Sequence, residues 1–173
     1  GVMLGKAMRF AEAIPLVQEA VNIGVRQGSE KVGMQIQAYS GSFLADLQRE
    51  SGDYLAALQS YERVINLNQQ LVVTRYDFEA YRGKALTEIA LGYTEQAKQD
   101  LSKALTIFEQ NRDRIAADHE RTTYLDKEYE AYDAAIGFAY AENPQAAFDL
   151  SERGRALSLL EAIKSTGTIN ARN

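Results

Sequence analysis

Few residues of this chain can do acid–base, nucleophilic or metal chemistry. The 173 residues contain one histidine, His119, and no cysteine. A cysteine–histidine dyad, a thiolate zinc site and an imidazole-rich metal site therefore cannot be assembled. The phosphate-binding Gly-x-x-x-x-Gly-Lys-Ser/Thr loop and the dinucleotide-binding Gly-x-Gly-x-x-Gly motif are missing from the sequence as well. We predict no catalytic, cofactor-binding or metal site, hence no enzyme in this segment, and we interpret His119 as an incidental surface residue.

Composition and charge narrow the classes of partner. Apolar residues make up 46% of the chain and charged residues 25%, with a formal net charge of −5. A nucleic-acid-binding chain usually shows a basic stripe, and this sequence has none, so we expect no nucleic acid. No apolar run approaches the roughly 20 residues that cross a bilayer, so we expect no membrane association. Together with the lack of cysteine, this favours a cytoplasmic protein.

The element that positions any functional side chain is a repeated pair of helices. Four copies align on Ala13, Ala57, Ala97 and Ala147, each followed four and seven residues later by the same packing positions. Twelve residues before each alignment point stands another small residue, in turn Gly1, Ala45, Ala85 and Ala135. Small residues on both helices allow close packing, so we predict antiparallel hairpins. Between the helices of the second hairpin, Gly52 should end one helix and Asp53 should cap the next.

Ala57 and Tyr61 resemble the Ala-x3-Phe half of the tetratricopeptide repeat. The resemblance implies an all-α fold, a right-handed superhelical solenoid of antiparallel helical hairpins. The copies lie 44, 40 and 50 residues apart, against about 34 in that family, so we expect long-helix variants. We predict a solenoid over residues 1–165 with about three and a half repeats, and a linker or cut end over 166–173. The repeats are a truncated copy at 1–28, ending in a helix over 11–27 that has Pro15 at its start, and full copies at 30–70, 73–111 and 120–164.

In tetratricopeptide hairpins the first helices line the concave wall, which suits a protein or peptide ligand. Tyrosine and arginine are the side chains that most often anchor such interfaces. An alternative for each tyrosine is that it packs against a neighbouring helix. The positions that the repeat phase assigns to this partner-binding surface are Tyr39, Asp46, Arg49, Arg82, Tyr129, Tyr132, Ile136 and Tyr140.

The last copy carries a more specific pattern. Ala147, Phe148, Glu152, Arg153, Arg155, Ala156, Leu159 and Leu160 match an Ala-Phe-x-x-x-Glu-Arg-x-Arg-Ala-x-x-Leu-Leu run. This run resembles the closing repeat that leads into the caspase-like peptidase module of CHAT-domain proteins. The resemblance implies the regulatory or recruiting arm of a larger, bacterial protein, with the peptidase histidine and cysteine after residue 173. From the residues alone, the arginines of this run can pair with carboxylates of a following domain or of a neighbouring helix, and we expect ion pairs within the chain.

We therefore predict a non-catalytic protein–protein interaction scaffold. Two alternatives stay open, namely a peptide-sensing allosteric module that changes its superhelical pitch and a fragment of an enzyme whose catalytic domain lies elsewhere in the chain. The start, Gly1 to Lys6, looks like the middle of a longer protein in which a targeting segment or further repeats could precede it. Val2, Leu4 and Phe10 would then belong to a stacking face, and self-association through that face is a further possibility.

Overall fold

The computed structural model describes residues 2–26, 30–71, 77–115 and 121–170. Within these ranges it contains helices and no β-strand, which confirms the all-α class. The helices are α1 (Val2–Arg26), α2 (Glu30–Ser51), α3 (Tyr54–Leu71), α4 (Asp77–Leu91), α5 (Thr94–Ile115), α6 (Arg121–Glu142) and α7 (Pro144–Asn170). The chain divides into two compact units, Gly1–Asp118 with α1 to α5 and His119–Asn173 with α6 and α7.

In the first unit each helix packs against the next, and α2 also packs against α4. The joint between α2 and α3 is a buried cluster of Ala45, Ala57 and Tyr61, all without exposed surface. One repeat further on, Ala85 and Ala97 are equally buried. Alanine at these positions removes the side-chain bulk that would hold two helices apart, which is why both hairpins form at the predicted places.

The turns of these two hairpins are copies of each other. Gly52 and Gly92, 40 residues apart (92 − 52), both have a positive φ, of 89° and 79°. The amide of Gly52 donates to the carbonyl of Arg49 at 3.1 Å, and that of Asp53 donates to Gln48 at 2.9 Å. Gly92 and Tyr93 repeat both bonds at 3.1 and 2.8 Å. This is the Schellman arrangement, which satisfies the last carbonyls of a helix and needs glycine at the left-handed position.

Helix starts follow the predicted capping chemistry. The Asp53 carboxylate accepts the amide hydrogen of Ala56 at 3.3 Å, so Asp53 caps α3 as expected. In the second unit Asn143 separates α6 from α7, and its side-chain oxygen accepts from the amides of Gln145 and Ala146 at 3.1 and 3.3 Å. Pro144 occupies the first position of α7, where a missing N–H is harmless.

The helices at the two ends of the chain are longer than predicted. We expected a separate helix over 11–27 with Pro15 at its start, but α1 is continuous from Val2 to Arg26 and contains Pro15 in its interior. The helix runs through both Gly5 and Pro15, so neither residue ends it. We also expected a linker or cut end at 166–173, and the structure has helix in this segment as far as Asn170, the last residue of α7. The segments 27–29, 72–76, 116–120 (with His119) and 171–173, and residue 1, lie outside the described residues.

Candidate partner-binding surface

The predicted surface residues divide by their exposure. Tyr39, Tyr129 and Tyr140 are exposed, at 54%, 53% and 71%. Asp46, Arg49 and Ile136 are half-buried. The remaining two, Arg82 and Tyr132, are not on a surface. The structure thus brings Tyr39, Asp46 and Arg49 together along α2 in the first unit, and Tyr129, Ile136 and Tyr140 along α6 in the second.

Arg82 and Tyr132 need correction because both are buried, at 2% and 3% exposure. Arg82 lies on α4, which packs against α2, α3 and α5, and a helix with three neighbours has little free surface. Tyr132 faces α7, where a Cβ placed on Gly154 would lie 3.6 Å from its ring. That distance is an ordinary van der Waals contact, so the Tyr132 ring packs against α7 at Gly154. For Tyr132 the alternative of packing against a neighbouring helix is therefore the right one.

Asp46 and Arg49 both interact with the buried side chain of Tyr61 on α3. The Tyr61 hydroxyl donates to Oδ1 of Asp46 at 2.5 Å. Burial raises the pKa of Tyr61 far above its usual range, and the negative charge of Asp46 adds to this, while Arg49 acts in the opposite direction. The phenol therefore stays protonated and donates permanently to the carboxylate. Its effect is to hold one charged residue of α2 in a single orientation on a half-buried helix face.

The same tyrosine fixes the distance between α3 and α4. A Cβ added to Gly83 of α4 would overlap the Tyr61 ring, within 2.5 Å of its Cε1 atom. Only glycine lets α4 lie directly on the ring, which has no exposed surface. Tyr61 thus joins α2 through Asp46, belongs to α3 and carries α4 on its face. This three-helix contact, which we call the Tyr61 junction, positions the two first helices α2 and α4 relative to each other.

An ion pair between Lys84 of α4 and Asp100 of α5 joins the two helices of this hairpin. Nζ of Lys84 donates to Oε1 of Glu88 at 2.6 Å and to Oδ2 of Asp100 at 2.5 Å. The two carboxylate side chains are 3% and 6% exposed. Lys103, on the outer side, donates to the other oxygen of Asp100 at 3.0 Å and lies over the ring of Tyr81, 5.3 Å from its centroid.

Burial and ion pairing act in opposite directions in this buried ion-pair cluster, formed by Lys84, Glu88, Asp100 and Lys103. Burial raises the pKa of Glu88, and the hydrogen bond from Lys84 only partly opposes the shift. Burial also acts to lower the pKa of Lys84, but the bonds to Asp100 and Glu88 outweigh it, so that its pKa is raised. Oε2 of Glu88 is buried without a hydrogen-bond partner among the described residues. Lys84 thus compensates two buried carboxylates at once.

The repeat explains where this cluster lies. Forty residues earlier, the positions of Glu88 and Asp100 are held by Gln48 and Ser60, whose side chains are joined by a hydrogen bond of 2.7 Å. Both hairpins therefore carry a polar tie between their helices at the same place. A neutral pair forms it in one copy and an ion-pair cluster in the next. These ties stabilise the hairpins that present the surface; they are not themselves arranged around an open site.

Sequence reasoning missed the apolar part of the surface. Phe43 is 51% exposed, and its ring meets that of Tyr39 edge-on, with centroids 5.1 Å apart. Val32, 47% exposed, and half-buried Ile36 precede them on the same helix. The spacing of four, three and four residues places all of them on one stripe of α2. That spacing is readable in the sequence, but a stripe of this kind is more often part of a core.

Clusters of metal-binding side chains are absent from the described residues. These residues contain no group of three or more His, Cys, Asp or Glu side chains placed to hold a metal ion. In the same part of the chain no helix has the length and apolar character needed to cross a membrane. Both observations concern the described ranges alone. Large apolar side chains are exposed on first helices, such as Tyr39 of α2, and on second helices, such as Leu55 of α3.

Comparisons with known proteins returned no match. No protein-family model matches the chain, and neither the curated proteins nor the solved structures gave a match. The likeness to tetratricopeptide and CHAT-associated repeats therefore remains an expectation from the residues.

Proposed function

We propose that this chain is a tetratricopeptide-like array of helical hairpins that acts as a non-catalytic protein–protein interaction scaffold. The observation that carries the proposal is the structural repeat of the first unit. Two hairpins share the same glycine turn 40 residues apart, the same buried alanine pairs and a polar tie at the same place. A unit that cannot bury its apolar face alone, and therefore stacks on its neighbours, is the basis of a solenoid. The right-handed superhelix over all four copies is part of this proposal.

In each unit separately, exposed side chains of the first helices form a candidate binding surface. Tyr39 and Phe43 on α2, and Tyr129 and Tyr140 on α6, each leave about half or more of their surface to solvent. Aromatic side chains contribute large contact areas and are enriched among the residues that dominate binding energy. Exposed aromatic pairs beside half-buried charged residues suit a peptide or helix with apolar anchors and a few polar groups.

The backbone under this surface is organised before a partner arrives. The Tyr61 junction holds α2 and α4, and the buried ion-pair cluster holds α4 and α5. A receptor whose helices are already fixed loses less conformational entropy on binding, so that more of the contact energy appears as affinity. This supports recognition of a partner by shape and a few anchors.

The test is selection from a library of displayed peptides on the immobilised chain, which requires no candidate ligand. We expect enriched peptides with two or more apolar anchors, and at least about tenfold weaker binding to Tyr39→Ala or Tyr140→Ala, since each change removes a large exposed ring. Leu55→Ala is the matched control, because Leu55 is 61% exposed but lies on a second helix, α3. The proposal would be refuted if no peptide is enriched. It would also be refuted if the enriched peptides bind both tyrosine variants as tightly as the wild-type chain.

We further propose that the chain is the recruiting arm of a CHAT-domain protein. The matching run lies within the helix α7. Phe148 and Leu159 are 58% and 63% exposed, and Arg155 bonds Glu152 at 2.7 Å between them, in agreement with the expected ion pair. The spacing of four, three and four residues places these four side chains on one exposed face. Such a face supports contact with another domain.

The reading frame that encodes the whole protein tests this second proposal. A downstream domain with a histidine and a cysteine in caspase-like order is the expected finding. A frame that encodes a different kind of domain after α7 would contradict the recruiting-arm proposal and leave the scaffold proposal standing.

A further inference from the structure

One stripe of α2 combines an exposed aromatic ring with two carboxylates. Tyr39, Asp46 and Glu50 are spaced by seven and four residues, so they lie on one side of the helix. Tyr39 is 54% exposed, Asp46 is half-buried and Glu50 is exposed. The ring of Phe43 meets that of Tyr39 edge-on beside them. We call Tyr39, Asp46 and Glu50 the Tyr39–Glu50 stripe.

The helix array leaves this stripe open. Forty residues later, the positions of Asp46 and Glu50 are held on α4 by Leu86, which is half-buried, and Ala90, which is exposed. Helix α4 packs against α2, α3 and α5, yet these three helices do not bury the pair. The repeat therefore places no helix of the array over the stripe, and its side chains are accessible to a partner.

The packing of the helices does not require a carboxylate at position 46. The equivalent residues of α4 and α6 are Leu86 and Ile136. The Tyr61 hydroxyl donates to Oδ1 of Asp46 at 2.5 Å, but the amide oxygen of an asparagine would accept this hydrogen bond as well. Partial burial of a carboxylate costs free energy that a neutral side chain avoids. The negative charge of Asp46 therefore points to a further role.

The bond from Tyr61 fixes the Asp46 carboxylate before a partner arrives. Tyr61 has no exposed surface, and its hydroxyl occupies Oδ1 of Asp46. Within the described ranges no other hydrogen-bond donor reaches this carboxylate, so Oδ2 can accept from a donor of a partner. A side chain that is already held in one orientation loses little conformational entropy on binding.

The charges of this part of α2 complement a positive group. From Tyr39 to Ser51 the helix carries three charged residues, Asp46, Arg49 and Glu50. Arg49 is half-buried and acts on the Tyr61 hydroxyl by a hydrogen bond and by its charge. The other two charges are both negative and lie on the open stripe, so they attract a cation. Lysine and arginine suit such a place, because their aliphatic stems pack on apolar surface while the charged heads reach carboxylates.

We propose that the Tyr39–Glu50 stripe binds a lysine or arginine side chain of a partner polypeptide at Asp46 and Glu50, together with an apolar residue of the same partner at Tyr39. This inference rests on the scaffold function proposed above and names the chemistry that α2 recognises. Tyr39 and Asp46 are separated by about 10 Å along the helix, at ~1.5 Å per residue. The basic and apolar residues of the partner are therefore about three positions apart in an extended peptide, or about seven in a helix.

The experiment selects binders to the immobilised chain from two displayed peptide libraries, one with all residue types and one without lysine and arginine. We expect the Tyr39-dependent peptides of the first library to carry a basic residue at one of these two spacings from an apolar residue. Peptides from the second library should bind at least about tenfold more weakly, because hydrogen bonds between charged groups are stronger than neutral ones.

Asp46→Asn separates the two roles of Asp46, since the amide oxygen still accepts from Tyr61 while the charge is removed. It should weaken binding of the basic peptides by at least about tenfold and reduce the dependence of binding on salt. Glu50→Gln, at an exposed position, should weaken binding by about two- to fivefold. The matched control is Glu95→Gln on α5, where the side chain is 77% exposed, which changes the net charge equally and should leave binding unchanged. Circular dichroism checks that each variant is folded.

Two results overturn this inference and leave the scaffold function standing. One is that Tyr39-dependent peptides without a basic residue bind as tightly as those with one. The other is equal binding of the basic peptides to the wild-type chain and to the folded Asp46→Asn variant, which would limit Asp46 to accepting the hydrogen bond from Tyr61. Failure of both libraries to enrich any peptide would instead refute the scaffold function, and this inference with it.

Discussion

Replacement of Lys84 by methionine should be among the most destabilising single changes in the first unit. Lys84 is 15% exposed and is bonded to Glu88 and Asp100, whose side chains are 3% and 6% exposed. Methionine keeps much of the volume and removes the positive charge. Removal of one partner from a buried ion pair leaves an uncompensated charge and typically costs about 3–5 kcal/mol. We expect a loss of that size in the free energy of unfolding near neutral pH.

The loss should depend on pH, with a sign that follows from the pKa of Glu88. Burial already raises this pKa in the folded protein. A raised folded-state pKa means that the group favours folding below its unfolded-state value of 4.5, and that this contribution is lost as pH rises through the folded-state pKa. Without Lys84 the pKa of Glu88 rises further. The deficit of the variant should therefore shrink on acidification towards pH 4.5, by about 1.4 kcal/mol for each unit of additional shift.

The matched control is Lys98→Met on α5. Lys98 also forms an ion pair, to Glu95 at 2.9 Å, but the glutamate side chain is 77% exposed. Exposed ion pairs contribute about 0–1 kcal/mol, so this variant should lose little and should show no comparable pH dependence.

Native-state hydrogen exchange of the amides in α4 and α5 is the suitable measurement, because it reports on these helices without assuming that the two units unfold together. Exchange of the Lys84 and Lys98 variants is compared with the wild-type chain near pH 7 and near pH 5. Equal protection in both variants would refute the reasoning. So would a Lys84→Met deficit that stays constant or grows as the pH falls.

Four further variants test the Tyr61 junction and the repeated turns. Gly83→Ala should lower the free energy of unfolding by about 1–3 kcal/mol, because the added methyl group would overlap the Tyr61 ring. Chemical denaturation measures this loss, and a negligible value would contradict the close contact. Tyr61→Phe, which leaves Asp46 without its 2.5 Å donor, should cost about 1–3 kcal/mol, and a loss no larger than experimental error would mean that the bond is replaced by solvent. Gly52→Ala and Gly92→Ala should each cost roughly 1–2 kcal/mol in melting experiments, since alanine is strained at positive φ, and markedly unequal losses would contradict the equivalence of the two turns.

The parts of the fold that follow from local chemistry were predictable. Gly52 ends α2 at a positive φ and Asp53 caps α3, because a glycine followed by a capping residue is a strong local signal. The alanines at 45 and 57 meet as expected because close helix packing selects small side chains. The prediction for Pro15 is wrong for the same local reason. Proline usually stands at a helix start, and only the surrounding structure allows it inside α1.

The surface was less predictable because exposure depends on how many neighbours a helix has. The same repeat phase assigns Tyr39 and Arg82 to one surface, yet one is 54% and the other 2% exposed. The helices of these two residues differ in how many other helices pack against them. Sequence periodicity shows which residues share one face of a helix, but it does not show whether another helix covers that face. For Phe43 the error is the reverse. An apolar residue at helical spacing is expected in the core, but Phe43 is exposed.

The two copies of one helix joint show why single positions predict so little here. In the second copy the joint consists of Tyr61 on α3 and Gly83 on α4, with the ring directly on the glycine. In the first copy the corresponding residues are Val17 on α1 and Phe43 on α2, so the large side chain has moved to the other helix. The consequence differs, because Tyr61 is covered completely whereas Phe43 remains 51% exposed. The same pair of repeat positions can thus hold a buried side chain in one copy and an exposed aromatic side chain in the other. The two cases are distinguished only when the residues at both positions are considered together.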